Sequence, residues 1–230
     1  MRNFDCHETE QMDRPQPASA ELRATLRDLE SMNRRFGGHR YALRFMEKRF
    51  IRGGSYRVLD LGTGGGDFPR AMVTWARTRG INLVIDAVDA SEPIIALARE
   101  FSPEFPEIRF LVGDALTYES DRYYDLVHCS LSMHHFSAAD AVSVLQRCRD
   151  LSREYVLITD LERSLWTRLA VHLTNTLFRH QNMTVSDGDT SARRAFSFRE
   201  FSALAKGAGW TEFGHERFLF CRQALWLPRR

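Results

Sequence analysis

The sequence predicts an α/β protein whose doubly wound sheet has seven strands, mostly parallel, with helices on both faces. Through the middle of the chain, short apolar runs typical of buried strands alternate with amphipathic stretches of helical periodicity, and a glycine-rich loop follows the first run. Near the end come two strand-like runs with a short connection, which are expected to pair antiparallel because a parallel pair needs a long crossover. With 230 residues, the chain is long enough for one such domain.

The first part of the chain is expected to form a tail and then a helical cap. Residues 1–18 are polar, contain two prolines and lack periodicity, so the tail is predicted to be disordered. Residues 19–54 are predicted to form an N-terminal cap of two helices, with Ser19 at the start of the first and a pair of glycines at its end. Residues 55–230 then form the α/β domain.

Five strands are predicted in this domain before the final antiparallel pair. They cover residues 56–61, 81–88, 108–112, 125–129 and 155–159. The helices between them would begin near Phe68, Glu92 and Ala138, and right-handed crossovers would place helices on both faces of the sheet. Ligands of such sheets bind beyond the carboxyl ends of the strands. The loops that follow the strands are therefore the candidates for a functional site.

Residues 160–190 are predicted to form a lid over that edge of the sheet. A helix-like stretch, 160–180, carries an apolar stripe that would mostly pack in the core, and a polar loop, 181–190, follows it. Four side chains in and near the lid are candidates for the wall of a substrate pocket. They are Met133, Phe136, Trp166 and His172.

The end of the chain carries one more helix signal and the strand pair. Ser197 and Glu200 have the spacing of a capping box, which predicts the start of a helix. The last two strands are expected around residues 210–215 and 218–226.

The composition argues against several classes of protein. The net charge of +2 does not demand a polyanionic partner, although seven basic residues lie within residues 34–52. A nucleic-acid contact there is less favoured than the solvent-facing side of an amphipathic helix. No apolar run approaches the ~20 residues that cross a bilayer, and no signal-peptide core is present, so a cytoplasmic protein without membrane contact is expected. The four cysteines lack zinc-like spacing, and no metal site is predicted.

The loop after the first predicted strand reads GTGGGD, residues 62–67. Glycines at such a place let a ligand lie against bare backbone, where a Cβ would collide. A dinucleotide-binding loop has a third glycine where this loop has Asp67. A carboxylate there would repel a pyrophosphate but would tolerate a cationic ligand. Taken alone, the loop could also be an ordinary tight turn.

Two carboxylates at neighbouring strand ends extend this pattern. Asp89 ends the second predicted strand, where a carboxylate can accept hydrogen bonds from a ribose diol. Asp86 is the alternative, but it lies inside the strand. Asp114 follows the third strand, where it can accept a hydrogen bond from an adenine amino group. Together with the glycine loop, these residues predict a nucleoside site.

Four motifs, VLDLGTGGGD, VDAS, VGDAL and YDLVHCSLSMHHF, stand in the order and spacing of the class I S-adenosylmethionine-dependent methyltransferases, which the chain resembles over about residues 33–159. The resemblance implies S-adenosyl-L-methionine as cofactor. The cofactor-binding residues that it implies are Asp60, Gly62, Gly64, Gly66, Asp89, Ala90, Asp114, Ala115 and Cys129. The strings MNRRFGGHR, SMHHF and SARRAF also resemble a bacterial group of small-molecule methyltransferases found near biosynthetic genes.

The residues after the fourth strand are the candidates for catalysis. A methyl acceptor must be aligned for in-line displacement, and a hydroxyl acceptor must also lose its proton. His134 and His135 lie here, and the resemblance to O-methyltransferases of phenolic substrates favours His134 as the general base. Both histidines could instead only pack or hydrogen-bond. Cys129 is expected to be a small buried residue rather than a nucleophile.

The sequence therefore predicts a methyltransferase that acts on a small molecule, with a hydroxyl of an aromatic or polyketide-like compound as the favoured acceptor. An RNA or protein methyltransferase and a non-catalytic cofactor-binding protein of the same fold are the alternatives. A nicotinamide-dependent oxidoreductase is a rival at the level of the fold, and Asp67 argues against it.

Overall fold

The computed structural model describes residues 9–178, 182–219 and 221–229. Within these ranges, seven strands form one sheet in the order β3-β2-β1-β4-β5-β7-β6. The strands are β1 (Ser55–Leu61), β2 (Asn82–Asp89), β3 (Ile108–Val112), β4 (Tyr124–Ser130), β5 (Ser152–Leu161), β6 (Gly214–Phe218) and β7 (Arg222–Pro228). Strands β1 to β5 run parallel, whereas β7 pairs antiparallel with both β5 and β6. The predicted sheet is confirmed.

Eight α-helices surround the sheet in the described part of the chain. They are α1 (Ala20–Arg35), α2 (Gly38–Glu47), α3 (Asp67–Arg77), α4 (Glu92–Glu100), α5 (Ala138–Leu151), α6 (Leu165–Phe178), α7 (Asn182–Arg194) and α8 (Phe198–Gly207). Alternate residues of β1 face two separate cores: Val58 packs in a cluster with α2, α3 and α4, and Leu59 in a cluster with α5 and α8. This alternation follows from the period of two in a strand, and it confirms helices on both faces. None of the described helices combines the length and apolarity of a membrane span.

Strand β1 has β2 on one side and β4 on the other, so the crossovers between strands change direction at β1. In a doubly wound sheet, the crevice at the carboxyl ends of such strands is where ligands bind. The loops that follow β1, β2, β3 and β4 therefore meet at one edge of the sheet, as the sequence predicts.

Residues before α1 follow a defined path from residue 9 onward, where the sequence predicted a disordered tail up to residue 18. A short 3-10 helix, Gln11–Asp13, begins this segment. The backbone N–H groups of Gln11 and Met12 donate hydrogen bonds to the Asp187 carboxylate of α7, over 2.7 and 3.0 Å. No local pattern of the sequence indicates these hydrogen bonds, because they join residues that lie far apart along the chain. The remainder of the expected tail, residues 1–8, lies outside the described residues.

The lid differs from its predicted form. Strand β5 extends to Leu161, so the helix expected from residue 160 begins only at Leu165, as α6. The prediction of a polar loop over 181–190 is wrong from Asn182 onward, where α7 begins, and position 181 lies outside the described residues. Helix α7 packs against α1 and α6 and buries Met183. Tertiary contacts therefore stabilise a helix whose polar composition favours a loop.

The C-terminal elements keep their predicted order with shifted bounds. Ser197 and Glu200 form a capping box at the start of α8, as predicted. Strands β6 and β7 each begin about four residues later than expected. For β6 the reason is Trp210, which is buried in the core beside α8 instead of starting a strand.

Candidate active site

A cavity of about 780 Å³ lies at the carboxyl ends of β1 to β4, a volume typical of small-molecule sites. Strand ends and the glycine loop form one side, the strand-end wall. This wall consists of Asp60, Gly62, Gly64, Asp89 and Asp114. The other side, the histidine wall, is formed by the N-terminal segment and by the short 3-10 helix after β4, Met133–His135, with the residue that follows it. It consists of Glu10, Asp13, His134, His135 and Phe136.

The glycine loop turns sharply from β1 into α3. Gly62, Gly64 and Gly66 have φ angles of 69°, 54° and 75°, which side chains disfavour. A Cβ on Gly62 would collide with the Ser132 hydroxyl, and one on Gly66 would lie 2.7 Å from the Phe110 ring. A Cβ on Gly64 would meet no atom within 4 Å, because it would point into the cavity. Gly64 is thus the glycine that leaves room for a ligand.

Asp60 is buried in the sheet at the cavity and is held in place from two sides. Its carboxylate accepts hydrogen bonds from the Thr63 hydroxyl and from His128 Nδ1, each over 2.6 Å. His128 is the neighbour of Asp60 in the register between β1 and β4. The carboxylate therefore fixes both the start of the glycine loop and the pairing of the two central strands.

Asp89 and Asp114 end neighbouring strands, and both lie at the cavity. Asp89 accepts hydrogen bonds from the backbone N–H groups of Gly64 and Ser91, over 2.9 and 3.1 Å. Burial raises the pKa of Asp89, although these two hydrogen bonds lower it. Asp114 accepts from the Leu116 N–H over 2.9 Å. Asp114 is thus oriented by a backbone donor of its own loop, and Asp89 by one donor of its own loop and one of the glycine loop.

The structure brings together most of the predicted cofactor residues. Seven of them line the cavity: Asp60, Gly62, Gly64, Asp89, Ala90, Asp114 and Ala115. Gly66 instead lies at the N-cap of α3 against Phe110. Cys129 is fully buried in the core beside α5 and does not line the cavity.

A polar cluster that the sequence pattern did not resolve lies beside the glycine loop. Asp67 accepts a hydrogen bond from Asn33 over 2.9 Å and is paired with His39 over 2.7 Å. Burial alone would raise the pKa of Asp67, but the hydrogen bonds from His39 and Asn33 lower it. Arg222 donates from Nη2 to Asn33 over 2.8 Å, while its buried Nη1 has no hydrogen-bond partner among the described residues. A Cβ on Gly38 would collide with Nη1.

Asn33, Gly38 and His39 belong to the string MNRRFGGHR, which is the signal by which this cluster could have been found. The glycine is required where the Arg222 guanidinium crosses α2, and the polar residues hold Asp67. Asn33, Asp67 and Arg222 all line the cavity.

His134 is held by a carboxylate on each side. Asp160, at the end of β5, accepts from the backbone N–H of His134 over 2.9 Å and from its Nδ1 over 2.7 Å. His134 Nε2 faces Glu10 Oε1 at 3.4 Å. Burial alone would lower the pKa of His134, but Asp160 and Glu10 raise it to about 10. Both ring nitrogens of His134 thus face carboxylates, and its role as the general base stays a prediction.

His135 repeats this arrangement with another partner. Its Nδ1 lies 2.8 Å from the carboxylate of Asp13, and its Nε2 lies 3.9 Å from Glu10 Oε2. Burial would lower the pKa of His135, but the charge of Glu10 raises it. Burial would raise the pKa of Glu10, whereas the two histidines and the Ser191 hydroxyl lower it to about 2. Glu10 and Asp13 come from the segment that the sequence predicted to be disordered, and no local signal pointed to them.

The predicted pocket walls are only partly correct. Phe136 lines the cavity, but Met133 is buried in the core, and Trp166 is 73 % exposed on the outer side of α6. His172 is also exposed. Helix α6 therefore turns much of its apolar stripe to solvent, whereas α7 supplies the cover that α6 was expected to supply.

The backbone is strained where the two walls meet. Leu131, directly after β4, has a φ of 55°, which is uncommon for a residue with a branched side chain. Its N–H donates to the Thr159 carbonyl over 2.8 Å, and its side chain lines the cavity. Strain of this kind persists only where surrounding contacts hold it, and it clusters at functional sites.

The comparisons with known proteins agree with this geometry. Residues 58–154 match the family model described as methyltransferase domain. None of the curated proteins matches the chain.

Several solved structures share the fold. A magnesium protoporphyrin IX methyltransferase from Synechocystis with bound S-adenosylhomocysteine has a TM-score of 0.60 at 14 % identity, covering 85 % of this chain and 84 % of that one. The plantazolicin methyltransferase BamL has a TM-score of 0.64 at 15 % identity, covering 86 % and 85 %. A Nostoc punctiforme protein named as a putative O-methyltransferase has a TM-score of 0.67 at 17 % identity, covering 90 % of this chain and 60 % of that one. At these identities the likeness concerns the fold.

The fold, the strand-end wall and the matched domain agree with the class I methyltransferases that the sequence resembles. Residues 58–154 carry a methyltransferase domain, and the structures named above share the fold of the chain. Magnesium protoporphyrin IX methyltransferase structures contain S-adenosylhomocysteine or S-adenosylmethionine, which agrees with the cofactor that the sequence predicts.

Proposed function

We propose that this enzyme transfers a methyl group to a hydroxyl oxygen of a small aromatic or polyketide-like molecule. The observation that carries the proposal is that the strand-end wall and the histidine wall face one cavity. An acceptor at the histidine wall would therefore share the cavity with a cofactor at the strand-end wall.

The residues of the strand-end wall fit the cofactor part by part. Asp89 would accept hydrogen bonds from the ribose hydroxyls, and Asp114, with the amide of Ala115, would bind adenine. Gly64 leaves open space where the methionine part would cross the loop. The Arg222 Nη1, buried and without a partner among the described residues, would bind the methionine carboxylate. Bound S-adenosylmethionine supplies a methyl group activated by positively charged sulfur.

The acceptor part of the cavity combines apolar surface with two imidazoles. Its apolar lining includes Met12, Pro15, Leu29 and Phe136. Such a lining suits an aromatic or polyketide-like molecule, because burying apolar surface favours binding. A hydroxyl of that molecule would be the group that the polar histidine wall recognises.

The reaction places two demands on the chain. The hydroxyl oxygen must be held in line with the methyl carbon, so that the new C–O bond forms as the electron pair of the C–S bond returns to sulfur. The hydroxyl proton must also leave, and the histidine wall is the polar group at that end of the cavity. The names of the similar proteins, which include plantazolicin and protoporphyrin methyltransferases, support a natural product as acceptor.

The test is a screen with methyl-labelled S-adenosylmethionine against hydroxylated aromatic and polyketide-like compounds, with products identified by mass spectrometry and NMR. We expect label on oxygen. Label on nitrogen or carbon only, or on RNA or protein and on no small molecule, would contradict the proposal. Thermal stabilisation by S-adenosylhomocysteine and not by NAD serves as the control for correct cofactor binding.

A further inference from the structure

The histidine wall contains one carboxylate that faces two imidazole nitrogens. Glu10 Oε1 lies 3.4 Å from His134 Nε2, and Glu10 Oε2 lies 3.9 Å from His135 Nε2. One ligand atom from each of the three residues lies within 4.8 Å of the others. Glu10 and His134 are buried, and all three side chains line the cavity.

The other nitrogen of each ring is already occupied. His134 Nδ1 lies 2.7 Å from Asp160, and His135 Nδ1 lies 2.8 Å from Asp13. A carboxylate can only accept, so each Nδ1 carries the hydrogen and each neutral ring keeps its lone pair on Nε2. A metal that displaces the Nε2 protons could therefore be bound by the two Nε2 atoms together with the Glu10 carboxylate.

The 3.4 Å distance between Glu10 Oε1 and His134 Nε2 matches the spacing of two metal ligands, and the 3.9 Å distance from Glu10 Oε2 to His135 Nε2 is somewhat longer. Separations of 3.4 and 3.9 Å exceed the usual N–H···O range of about 2.7–3.2 Å. Two ligands of a tetrahedral zinc ion, each about 2.0–2.2 Å from the metal, are about 3.4 Å apart. Histidine ligands that donate their second N–H to a carboxylate are also the usual arrangement around a bound metal. The Ser191 hydroxyl, which donates to Glu10 Oε1 over 2.7 Å, orients the third ligand.

The charge of the cluster points the same way. Glu10, Asp13 and Asp160 bring three carboxylates against two imidazole rings. Among these five side chains, the three carboxylates leave an excess of negative charge even when both rings are protonated, and this excess favours a cation. Two nitrogen ligands and one oxygen ligand suit Zn²⁺ and its transition-metal neighbours, and they do not suit Mg²⁺ or Ca²⁺.

We propose that Glu10, His134 and His135 bind a divalent transition-metal ion of the Zn²⁺ type, with Asp160 and Asp13 orienting the two histidines. Three protein ligands leave a coordination position open toward the cavity, as in catalytic zinc sites.

This proposal deepens the proposed function and gives the histidine wall its role. The acceptor hydroxyl would replace a water molecule on the metal, and the metal would lower the pKa of that hydroxyl. Its proton would pass to solvent water, and the oxygen would keep the lone pair that forms the bond to the methyl carbon. The histidines then act as ligands, and no protein base is needed.

The experiment measures metal binding directly. The full-length protein is stripped with a chelator, its folding is checked by circular dichroism, and it is titrated with ZnCl₂ and separately with MgCl₂ by calorimetry. We expect one Zn²⁺ per chain and no saturable Mg²⁺ binding. Glu10→Gln, His134→Gln and His135→Gln should each weaken Zn²⁺ binding at least about 100-fold, and Asp160→Asn about 10- to 100-fold. The exposed residues Glu21 and His172 provide matched controls, Glu21→Gln and His172→Gln, with unchanged Zn²⁺ affinity.

The outcomes separate the metal site from the proposed function. Absence of saturable Zn²⁺ binding by the folded protein, or equal Zn²⁺ affinity of Glu10→Gln and the unchanged protein, would overturn the metal site. The contacts between Glu10 and the two histidines would then be hydrogen bonds or ion pairs. Binding of S-adenosylhomocysteine by each variant shows that it is folded. Zinc binding without methylation of any hydroxyl compound would support the site and contradict the acceptor assignment. Full O-methylation by metal-free protein would overturn the catalytic role of the metal, whereas recovery of activity on adding Zn²⁺ would support it.

Discussion

The two walls of the cavity are built in different ways. The strand-end wall consists of glycines and carboxylates held by hydrogen bonds within their own loops or between adjacent strands, such as Gly64 N–H to Asp89. The histidine wall is assembled from distant parts of the chain, and its Glu10 accepts a hydrogen bond from Ser191, 181 positions away. The difference teaches that cofactor chemistry is encoded locally, whereas the acceptor site depends on how separate elements are placed.

The largest effect is expected from filling the strand-end wall. Gly64→Val would place a side chain in the ligand space at a φ of 54°, so we expect the affinity for S-adenosylhomocysteine to fall at least about 100-fold by calorimetry. Gly80→Val is the matched control, because Gly80 has a φ of 63° and equally open surroundings but lies outside the cavity. It should lower the melting temperature without changing affinity. A comparable loss of affinity in both variants would show that backbone strain, and not overlap with the ligand, is the cause.

The next largest effect should separate the two walls. Asp160→Asn replaces an oxygen that accepts from His134 with an amide N–H₂ that cannot accept, so the His134 ring would lose its fixed orientation. We expect kcat to fall about 100-fold while the affinity for S-adenosylhomocysteine changes by less than about threefold. Asp150→Asn, at an exposed position of α5, is the control. Equal losses of kcat and cofactor affinity would mean that the walls do not act separately.

A smaller effect is expected at Arg222. Arg222→Met keeps an unbranched side chain but removes the charge proposed to bind the methionine carboxylate, which should weaken S-adenosylhomocysteine binding about 10- to 30-fold. Binding of 5′-methylthioadenosine, which lacks that carboxylate, should be nearly unchanged. A parallel loss for both ligands would place Arg222 in the packing of α2 rather than in recognition of the carboxylate.

A weaker effect again is expected at Asp114. This side chain is exposed and is aimed by one backbone donor, the Leu116 N–H. Asp114→Asn retains an acceptor oxygen, so the affinity for S-adenosylhomocysteine should fall only about three- to fivefold. A loss as large as that in Gly64→Val would show that the adenine end contributes more than the loop.

Glu200 lies outside both walls, so its substitution is expected to change the stability of the fold and not the activity. Burial would raise its pKa, but Arg163 and the Ser197 cap lower it to about 2. Because this pKa lies below the ordinary value of 4.5, the charged carboxylate stabilises the fold above about pH 4.5, and this contribution is lost as the pH falls toward 2. Glu200→Gln should cost about 1 kcal/mol of unfolding free energy at pH 7 and less at pH 3, as measured by urea denaturation. Cofactor affinity and kcat should not change.

The sequence was most informative where structure follows from local pattern. The succession of strands along the chain follows from periodicity, and it was predicted. The helix caps at Ser19 and Ser197 depend on short-range hydrogen bonds, and they were predicted as well. The positions of Asp89 and Asp114 at the cavity follow from the rule that parallel strands end at one edge.

The acceptor side could not be predicted for a physical reason. Glu10 lies in a polar segment without periodicity, and it is buried only because α7 and the helix after β4 surround it. Helix α7 itself contains polar residues and a glycine, so its stability comes from packing against α1. His134 was found by its place after β4, but its partners Asp160 and Glu10 come from other elements.

The short 3-10 helix Gln11–Asp13 is hydrogen-bonded to α7. It can therefore take its final position only after α7 has been synthesised. Gln11 and Met12 bind Asp187, which lies 176 and 175 positions further along the chain. At a synthesis rate of about 5–20 residues per second, roughly 10–35 s pass on the ribosome before that partner exists. The central strands β1 to β4 can pair during this interval, while the segment that contains Gln11 and Met12 is still exposed to solvent. The enzyme is thus expected to acquire its cofactor-binding edge early in biosynthesis and to enclose its acceptor pocket only after α7 has been synthesised.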